Sequence, residues 1–358
     1  MSKAYSVEIP AHSSIYTNNY SDNNYKDRKI RVDYSEPEQI NENTGVLLLI
    51  AGYGASIDSN VYIKMRKNFS DLYNLIVLQC NYFGSEFMQG PQDSEIERVI
   101  TEIDNNKDMK SSANECYLNF NVNTCENIKN FNDMGIMQAI DNITAVLAII
   151  NMIKSKSMSI NMKKIIIYGH SHGAYLSYMC NRFCPQLFQL IIENSAYIYP
   201  AYLNNTRKLF FEYNSNIFSF DFQYLISNIE ESISKEIYSL EYLYRNFNNM
   251  CYIVSYHGEL DDMTSFANKS EFVRDINKMV FIGITESDID GEVIKSCSHG
   301  LDADFIKMFD ITYKAFENKI DQDVDLLLAN SIRVVLKDKM ELLISYDAGF
   351  PIVKKLKY

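Results

Sequence analysis

The sequence predicts an α/β fold with a mostly parallel central sheet and helices on both faces. Short apolar, β-branched runs, typical of buried parallel strands, recur along the chain and alternate with helical patterns. These runs cover residues 45–50, 75–80, 190–194, 250–256 and 279–285. A further run, KIIIYGHSHGA at 164–174, passes from a strand through a glycine-flanked turn into a helical pattern. Strands that alternate with helices in this way build parallel sheets.

The chain is long enough for one large core, with 358 residues of which 47% are apolar. α/β sheets of this size often form a single domain, so one domain is expected over residues 1–358. The stretches 5–9 and 29–33 read as strands and are expected to form the antiparallel edge of the sheet.

Three segments exceed what a minimal fold of this kind needs. Residues 84–131 carry many acids and asparagines with little periodicity, which predicts an irregular surface insertion. Residues 197–249 form a second insertion with an aromatic-rich stretch, whose rings either shape a substrate pocket or only pack the insertion onto the body. Residues 324–358 form a β-rich extension, and 331–345 predicts a hairpin outside the main sheet. This hairpin would cover a sheet edge or form a dimer contact, so a homo-oligomer is one of two alternatives.

Ser171 is the candidate nucleophile because it lies in a GxSxG pattern, from Gly169 to Gly173, between a strand and a helix. A serine hydroxyl is a weak nucleophile until a base takes its proton, and the sharp turn lifts its oxygen toward base and substrate. A Cβ at either glycine would collide with the neighbouring strand or helix in so tight a turn. The free N–H groups of the following helix favour developing negative charge at this point.

The same letters, GHSHG, resemble the last metal-binding motif of calcineurin-like metallophosphoesterases, in which both histidines bind metal. That family also needs Asp-x-His and Gly-Asn-His-Asp/Glu segments upstream, whereas the only histidine before position 170 is His12. An HxHxDH metal site fails at its last two ligand positions. No metal and no cofactor are therefore expected. The histidines His170, His172 and His257 are interpreted as turn residues whose rings pack or cap.

A glycine-rich loop, AGYGA at 51–55, follows the buried strand at 45–50. With the nucleophile turn and the helical pattern at 133–150, this loop makes residues 30–318 resemble the α/β-hydrolase superfamily, and especially its esterase-like and prolyl-oligopeptidase-like serine hydrolases. The resemblance implies a chain order of Ser, acid and His, and an oxyanion hole built from two backbone N–H groups. It also implies that residues 197–249 form a lid over the nucleophile.

The resemblance places the acid and the base after two later strands. An HGxxD segment follows the strand at 250–256 and puts Asp261 at the position of the catalytic acid, with Asp262 in reserve and Glu193 as the next candidate. His299, in the loop after 279–285, stands where the superfamily has its base.

The oxyanion donors implied by the resemblance are the backbone N–H groups of Tyr53 and His172. Each such donor is typically worth about 3 kcal/mol of transition-state stabilisation. Ala51 stands where related loops have histidine, which is tolerable because a backbone group is the donor.

The function expected from these residues is a serine hydrolase that cleaves an acyl ester by way of an acyl-enzyme. The favoured substrate is an acyl ester on a sugar, because Tyr, Phe and Asn of the lid can stack on and hydrogen-bond to a glycan. Two alternatives stay open: a catalytically silent binding or assembly protein, in which Ser171 is unreactive, and an acyltransferase, in which an alcohol takes the acyl group. Composition and motif layout also resemble an uncharacterised hydrolase-like family of bacteria with glycosylated flagella, which implies no substrate.

The net charge of −12 argues against nucleic acid or an anionic membrane surface as a partner. The first residues have no apolar signal-like stretch, and the longest uninterrupted apolar runs, 46–51 and 145–150, are too short to span a bilayer. Seven cysteines without a CxxC pair fit a reducing compartment. A soluble cytoplasmic protein is therefore expected.

Overall fold

The computed structural model describes residues 1–17, 28–105, 117–122, 124–214, 216–228, 235–320, 331–337, 340–346 and 349–357. Its strands are β1 (Lys3–Ala11), β2 (Arg28–Glu36), β3 (Gly45–Ile50), β4 (Leu75–Cys80), β5 (Tyr117–Val122), β6 (Ile165–His170), β7 (Leu190–Asn194), β8 (Arg207–Tyr213), β9 (Asn216–Phe222), β10 (Tyr252–Gly258), β11 (Met279–Ile284), β12 (Ser331–Lys337), β13 (Met340–Ser345) and β14 (Ile352–Lys357). Its α-helices are α1 (Asn60–Tyr73), α2 (Asp93–Asn105), α3 (Ile136–Ser155), α4 (His172–Phe183), α5 (Leu240–Tyr244), α6 (Phe266–Val273) and α7 (Phe305–Ile320).

Eight strands form the central sheet in the order β1-β2-β4-β3-β6-β7-β10-β11. β1 is antiparallel to β2 and β2 to β4, whereas the remaining neighbours are parallel. Every residue of β3, β4 and β7 is buried, as expected for parallel strands covered on both faces. The chain thus has the α/β-hydrolase fold with an antiparallel edge, and the fold predicted from the sequence is confirmed.

Alternate residues of the central strands enter two separate cores. Val46 and Leu48 belong to the larger core, which α3, α4 and α6 cover. Leu47 and Leu49 point the other way, into a smaller core that α1 and α7 cover. Helices therefore cover both faces of the sheet. A site can form where loops follow the carboxyl ends of the parallel strands.

Helix α3 lies in the larger core. By length and composition it could cross a membrane, but it is almost entirely buried inside the protein. Its polar residues find partners there: Asp141 pairs with Arg28, and Asn142 Nδ2 donates to the Gln138 carbonyl oxygen at 2.9 Å. An all-round apolar helix of this kind fits a position enclosed on all sides by protein.

The two insertions together build a second, three-stranded sheet in the order β5-β9-β8. The expectation that residues 84–131 are irregular is wrong for the described part, since this segment contains α2 and contributes β5, which pairs in parallel with β9 of the other insertion. The sequence analysis did not anticipate β5 or its pairing with a strand about a hundred residues later in the chain. The parts of these insertions at 106–116, 123, 215 and 229–234 lie outside the described residues.

Most aromatic rings of the 197–249 insertion pack within the protein. Phe218, Phe220, Phe222 and Tyr224 are all at most 2% exposed, whereas Phe210 is 63% exposed. The structure therefore favours, for these four rings, the alternative in which they pack the insertion onto the body. The lid role of residues 197–249 stays a prediction.

The C-terminal extension forms a third sheet, β12-β13-β14, with antiparallel pairing. The hairpin predicted within 331–345 corresponds to β12 and β13, and β14 adds a strand that the sequence analysis did not anticipate. This sheet packs on the body, where the Val353 N–H donates to His12 Nε2 at 3.1 Å and the Tyr346 hydroxyl donates to the Phe183 carbonyl at 2.8 Å. Of this predicted extension, residues 324–330, 338–339, 347–348 and 358 lie outside the described part.

Candidate active site

Ser171 occupies the sharp turn between β6 and α4. Its φ of 51° and ψ of −114° fall in a region that residues with a side chain rarely adopt. The flanking glycines are required there, because a Cβ at Gly173 would lie 2.0 Å from the Ile50 carbonyl oxygen, and one at Gly169 would lie 2.4 Å from the carbonyl oxygen of Gly173. Strand and helix can therefore pack closely while the serine is held in the turn between them.

His299 lies between Ser171 and Asp261. Its Nε2 is 2.8 Å from Ser171 Oγ, and its Nδ1 is 2.8 Å from Asp261 Oδ2. The Asp261 side chain is fully buried, whereas 23% of the His299 side chain is exposed. A carboxylate at Nδ1 holds the proton on that nitrogen and leaves Nε2 free to accept the serine proton. The structure thus brings these three residues into one hydrogen-bonded line.

Asp261 is held by the turn that follows β10. Its Oδ1 accepts hydrogen bonds from the N–H groups of Met263 at 2.9 Å and Thr264 at 3.1 Å, so Oδ2 is left for His299. Burial by itself raises the pKa of Asp261, but the hydrogen bond and charge of His299, with weaker neighbouring interactions, outweigh it and the net pKa is lowered. The carboxyl group is therefore ionised at neutral pH.

The loop that carries His299 is tied to the end of β7. The Gly300 N–H donates to Ser195 Oγ at 2.9 Å, and Asn194 Nδ2 donates to the Gly300 carbonyl oxygen at 3.0 Å. A further backbone hydrogen bond of 3.0 Å links the same loop to the turn after β10. The ends of β7 and β10 thereby fix the imidazole relative to the nucleophile and the acid.

The first turn of α4 and the loop that contains Gly52 lie next to Ser171. His172 is the first residue of α4, and N–H groups in the first turn of a helix have no intrahelical acceptor. Gly52 lies so close to the nucleophile turn that a Cβ there would be 3.5 Å from Ser171 Cβ. The Ala55 N–H donates to the Gly52 carbonyl at 3.1 Å, which closes the loop around Tyr53.

A buried chain of side-chain hydrogen bonds joins Tyr53 to His172. Asn132 Nδ2 donates to the Tyr53 hydroxyl at 2.5 Å, and Gln138 Nε2 donates to Asn132 Oδ1 at 2.8 Å. His172 Nε2 donates to Gln138 Oε1 at 2.6 Å, and the Tyr197 hydroxyl donates to His172 Nδ1. Burial lowers the pKa of His172 to about 3, so the neutral ring donates at one nitrogen and accepts at the other. In this series of hydrogen bonds, each donor therefore faces an acceptor.

Sequence reasoning missed Gln138 and Asn132, which belong to no motif. The sequence does contain one signal, since both residues are polar and lie beside a nearly continuous apolar stretch. A polar side chain is buried in such surroundings only when it has hydrogen-bond partners. Both residues are fully buried. That signal indicates a hydrogen-bonded partner but does not identify it.

The histidines on either side of Ser171 lie in different environments. The His170 ring packs on Phe305 with centroids 4.8 Å apart, and burial followed by the charge of His299 lowers the pKa of His170 to about 4. His172 belongs to the buried chain. Within the described part of the protein, no group of three or more His, Cys, Asp or Glu residues could hold a metal ion.

His257 and Asp262 lie close to Asp261 in the chain, at the end of β10 and in the turn that follows it. His257 Nε2 donates to the Thr264 carbonyl oxygen at 2.9 Å, so this ring braces the turn. Burial, and then the charge of Lys269, lowers the pKa of His257. Asp262, the reserve candidate for the acid, is exposed.

Glu193, the other candidate for the acid, forms a buried ion pair. Its Oε1 lies 2.7 Å from Lys269 Nζ, and both side chains are fully buried. The Tyr178 hydroxyl donates to Oε1 at 3.0 Å, and the Ala196 N–H donates to Oε2 at 3.0 Å. Burial lowers the pKa of Lys269, and the Glu193 carboxylate opposes this effect. Glu193 is therefore occupied by a structural ion pair.

Substitution of Lys269 by methionine is expected to lower the free energy of unfolding by about 3–5 kcal/mol, because it leaves the Glu193 carboxylate buried without its counter-charge. Urea unfolding followed by circular dichroism measures the loss. The double variant Glu193→Gln, Lys269→Met should be more stable than the single one, because the amide is uncharged, its oxygen still accepts from the Ala196 N–H, and its NH₂ can donate to the Tyr178 hydroxyl oxygen.

The matched control is Lys307→Met, which breaks an exposed pair with Glu292 at 3.4 Å. Its expected cost is below about 1 kcal/mol. Equal stability of the Lys269 and Lys307 variants would contradict the importance of the buried pair.

A family model described as "Protein of unknown function (DUF2920)" matches residues 84–219 and 212–352. No curated protein matches the chain. Solved structures similar to it include Est1E from Butyrivibrio proteoclasticus with bound ferulic acid, at 10% identity over 82% of this chain and 96% of that one, with a TM-score of 0.46. Esterase 2 from Thermogutta terrifontis, phosphonylated by sarin, has 9% identity, coverages of 88% and 97%, and a TM-score of 0.47. An alpha-beta serine hydrolase homologue from Coxiella burnetii has 13% identity, coverages of 80% and 91%, and a TM-score of 0.39.

Proposed function

We propose that this chain, which belongs to the DUF2920 family of proteins of unknown function, is a serine hydrolase of the esterase type. The observation that carries the proposal is the continuous line from Ser171 Oγ through the His299 ring to the buried Asp261 carboxylate, with both hydrogen bonds at 2.8 Å. A nucleophile, a base and an orienting acid in this arrangement can activate a serine for acyl transfer.

In the proposed reaction, Ser171 Oγ attacks the acyl carbon of an ester while His299 Nε2 takes the hydroxyl proton. The N–H groups of Tyr53 and His172 hold the oxyanion, and Asp261 stabilises the imidazolium that forms. The proton then passes to the leaving alcohol, and the acyl group stays on Ser171. In the second half, His299 takes a proton from a water molecule, whose oxygen attacks the acyl carbon. The bond from that carbon to Ser171 Oγ then breaks, the proton returns from His299 to Oγ, and the acid is released. The chemistry needs no metal and no cofactor.

The proposed substrate is a small acyl ester, with an acylated glycan as the favoured class. The proposed location is the cytoplasm, which the cysteine pattern supports. We also propose that this chain is related to hydrolase-like proteins of bacteria with glycosylated flagella.

Labelling with a short-chain alkyl fluorophosphonate, read by intact mass, tests the function directly. The wild-type protein is expected to gain one adduct per chain, because an activated serine attacks phosphorus as it attacks an acyl carbon. Ser171→Ala should gain none. Ser298→Ala, next to His299 in an exposed position, is the matched control and should label fully. Folded wild-type protein that gains no adduct even with the shortest alkyl chain would refute the hydrolase proposal and favour a binding protein.

A further inference from the structure

The side chains of Tyr53, Asn132, Gln138, His172 and Tyr197 form one polar network inside the protein. Asn132 and Gln138 are its middle members, both fully buried, and the proposed mechanism uses neither of them. Burying polar groups costs free energy, which a packed apolar core of the same shape avoids. A satisfied polar network instead fixes the relative positions of the segments that carry it. The segments that this network joins therefore indicate its role.

One backbone group sets the direction of the hydrogen bonds in the network. The Met134 N–H donates to Asn132 Oδ1 at 3.3 Å, so the Asn132 amide nitrogen must face the Tyr53 hydroxyl. Oδ1 also accepts from Gln138 Nε2, which turns the Gln138 oxygen toward the ring of His172. The ring therefore carries its proton on Nε2 and leaves Nδ1 as an acceptor. A network with a single pattern of donors and acceptors holds its members in one arrangement.

The network ends at the two residues proposed to supply the oxyanion donors. Tyr53 lies in the loop after β3, and His172 is the first residue of α4, directly after the nucleophile. Their rings also meet edge to face, with centroids 5.5 Å apart and planes at 80°. Gln138 in the first turn of α3 and Asn132 just before that helix bridge the two residues. The network therefore holds the loop after β3 against the nucleophile helix.

Oxyanion stabilisation requires both donors to lie close to one oxygen atom. Such donors act at about 2.7–3.1 Å, and the loss of one typically lowers kcat by about 10²–10³-fold. A misplacement of about 1 Å can by itself cost about 100-fold. Because the loop of Tyr53 and the start of α4 come from distant parts of the chain, only tertiary contacts can set this spacing.

We propose that Asn132 and Gln138 are positioning residues for the oxyanion hole. They hold the two backbone donors, at Tyr53 and His172, at a fixed spacing before the substrate binds. This role rests on the proposed function of Ser171, since an oxyanion forms only if that serine attacks an acyl carbon. Loss of the network then weakens binding of the transition state but not of the ester, which lowers kcat at constant KM.

The test compares Gln138→Met with the wild type in the full chain. Methionine has nearly the shape of glutamine but removes both hydrogen bonds of the Gln138 amide. With 4-nitrophenyl acetate, kcat is expected to fall about 30–100-fold, whereas KM should change less than about twofold. The second readout is the inhibition constant of an alkyl trifluoromethyl ketone. Ser171 Oγ adds to its carbonyl carbon while His299 takes the hydroxyl proton, which leaves an oxyanion, so this constant should rise by the same factor as kcat falls.

Thr144→Val is the matched control on the same helix. Thr144 is fully buried and its hydroxyl donates to the Ile140 carbonyl oxygen at 2.7 Å, so valine removes a buried hydrogen bond outside the network. Its inhibition constant should equal that of the wild type. Tyr53→Phe tests the same link if Gln138→Met does not fold, because it removes only the hydroxyl at the end of the network. Its kcat should fall, and its inhibition constant rise, about fivefold, the scale of one hydrogen bond.

The outcomes separate this role from the proposed function. Parallel changes of kcat and the inhibition constant would support it. A wild type that hydrolyses the ester, with both quantities unchanged in Gln138→Met and Tyr53→Phe, would overturn the positioning role and leave the hydrolase standing. A lower kcat without a higher inhibition constant would also overturn it, because loss of folded protein has that effect. A wild type that neither hydrolyses the ester nor is labelled by the fluorophosphonate would reject the hydrolase, and the positioning role with it.

Discussion

Replacement of Ser171 by alanine is expected to lower kcat for a simple aryl ester by about 10⁶-fold, the typical cost of removing a serine nucleophile. The acyl-enzyme cannot form, so only the background from oxyanion stabilisation and substrate binding is left. Folding should be unaffected, because alanine keeps the Cβ at the same positive φ of 51° and removes only one hydrogen bond, at 2.8 Å to His299. Initial rates with 4-nitrophenyl acetate measure the loss.

Two control measurements accompany the Ser171→Ala variant. Ser298→Ala should retain the wild-type rate, since its hydroxyl is not part of the line from Ser171 to Asp261. Thermal unfolding of both variants should match that of the wild type, so that a lost rate cannot be attributed to a lost fold. A Ser171→Ala variant that keeps more than about a hundredth of the wild-type rate would show that another group performs the reaction.

The substitution Asp261→Asn is expected to lower kcat by about 10⁴-fold, the loss typical of a triad with the wrong histidine tautomer. The surroundings decide how the new amide must lie. Its oxygen has to accept from the N–H groups of Met263 and Thr264, as Oδ1 does now, so its NH₂ faces His299 Nδ1. The imidazole then carries its proton on Nε2 and directs it at Ser171, where it cannot accept one.

Asp262→Asn provides the matched control for this effect. It makes the same chemical change one residue later, on an exposed side chain, and should change kcat less than twofold. Comparable losses in both variants would contradict the assignment of Asp261 as the acid. Steady-state kinetics with a simple ester distinguishes these outcomes.

The small sheet built by the two insertions contacts the loop expected to hold the oxyanion. Arg207, the first residue of β8, lies over the Tyr53 ring at 4.9 Å and donates to the Met88 carbonyl oxygen at 2.6 Å. Gly54, with a φ of 75°, leaves room for this contact, because a Cβ there would lie 3.1 Å from Arg207 Nη2. The insertions therefore support the geometry around Ser171 from outside the main sheet.

Much of the fold and the candidate site can be predicted from the sequence because the relevant signals are local. Buried parallel strands appear as unbroken apolar runs, and the nucleophile turn needs glycines within two residues of Ser171. His299 and Asp261 could be located because each follows a strand end, and strand ends meet at one edge of a parallel sheet. The chain order of serine, acid and histidine then limits the candidates further.

The choice among the three candidate acids depends on more than local sequence patterns. Asp261 and Asp262 follow a strand and Glu193 lies near the end of one, so their positions relative to the strands do not separate their roles. Glu193 forms an ion pair with Lys269, which lies on α6, 76 residues later in the sequence. A buried carboxylate requires a partner, but the sequence does not tell which cation will reach it.

By itself, the sequence determined the α/β class, the positions of the core strands and the turn at Ser171, because hydrophobic period and glycine placement act over a few residues. Only the tertiary structure decided the pairing of β5 with β9, the hydrogen bonds from Tyr53 through Asn132 and Gln138 to His172, and the ion pair of Glu193 with Lys269. These features depend on which distant segments meet in space, and each buried polar group takes whichever partner the packed fold brings within hydrogen-bond reach.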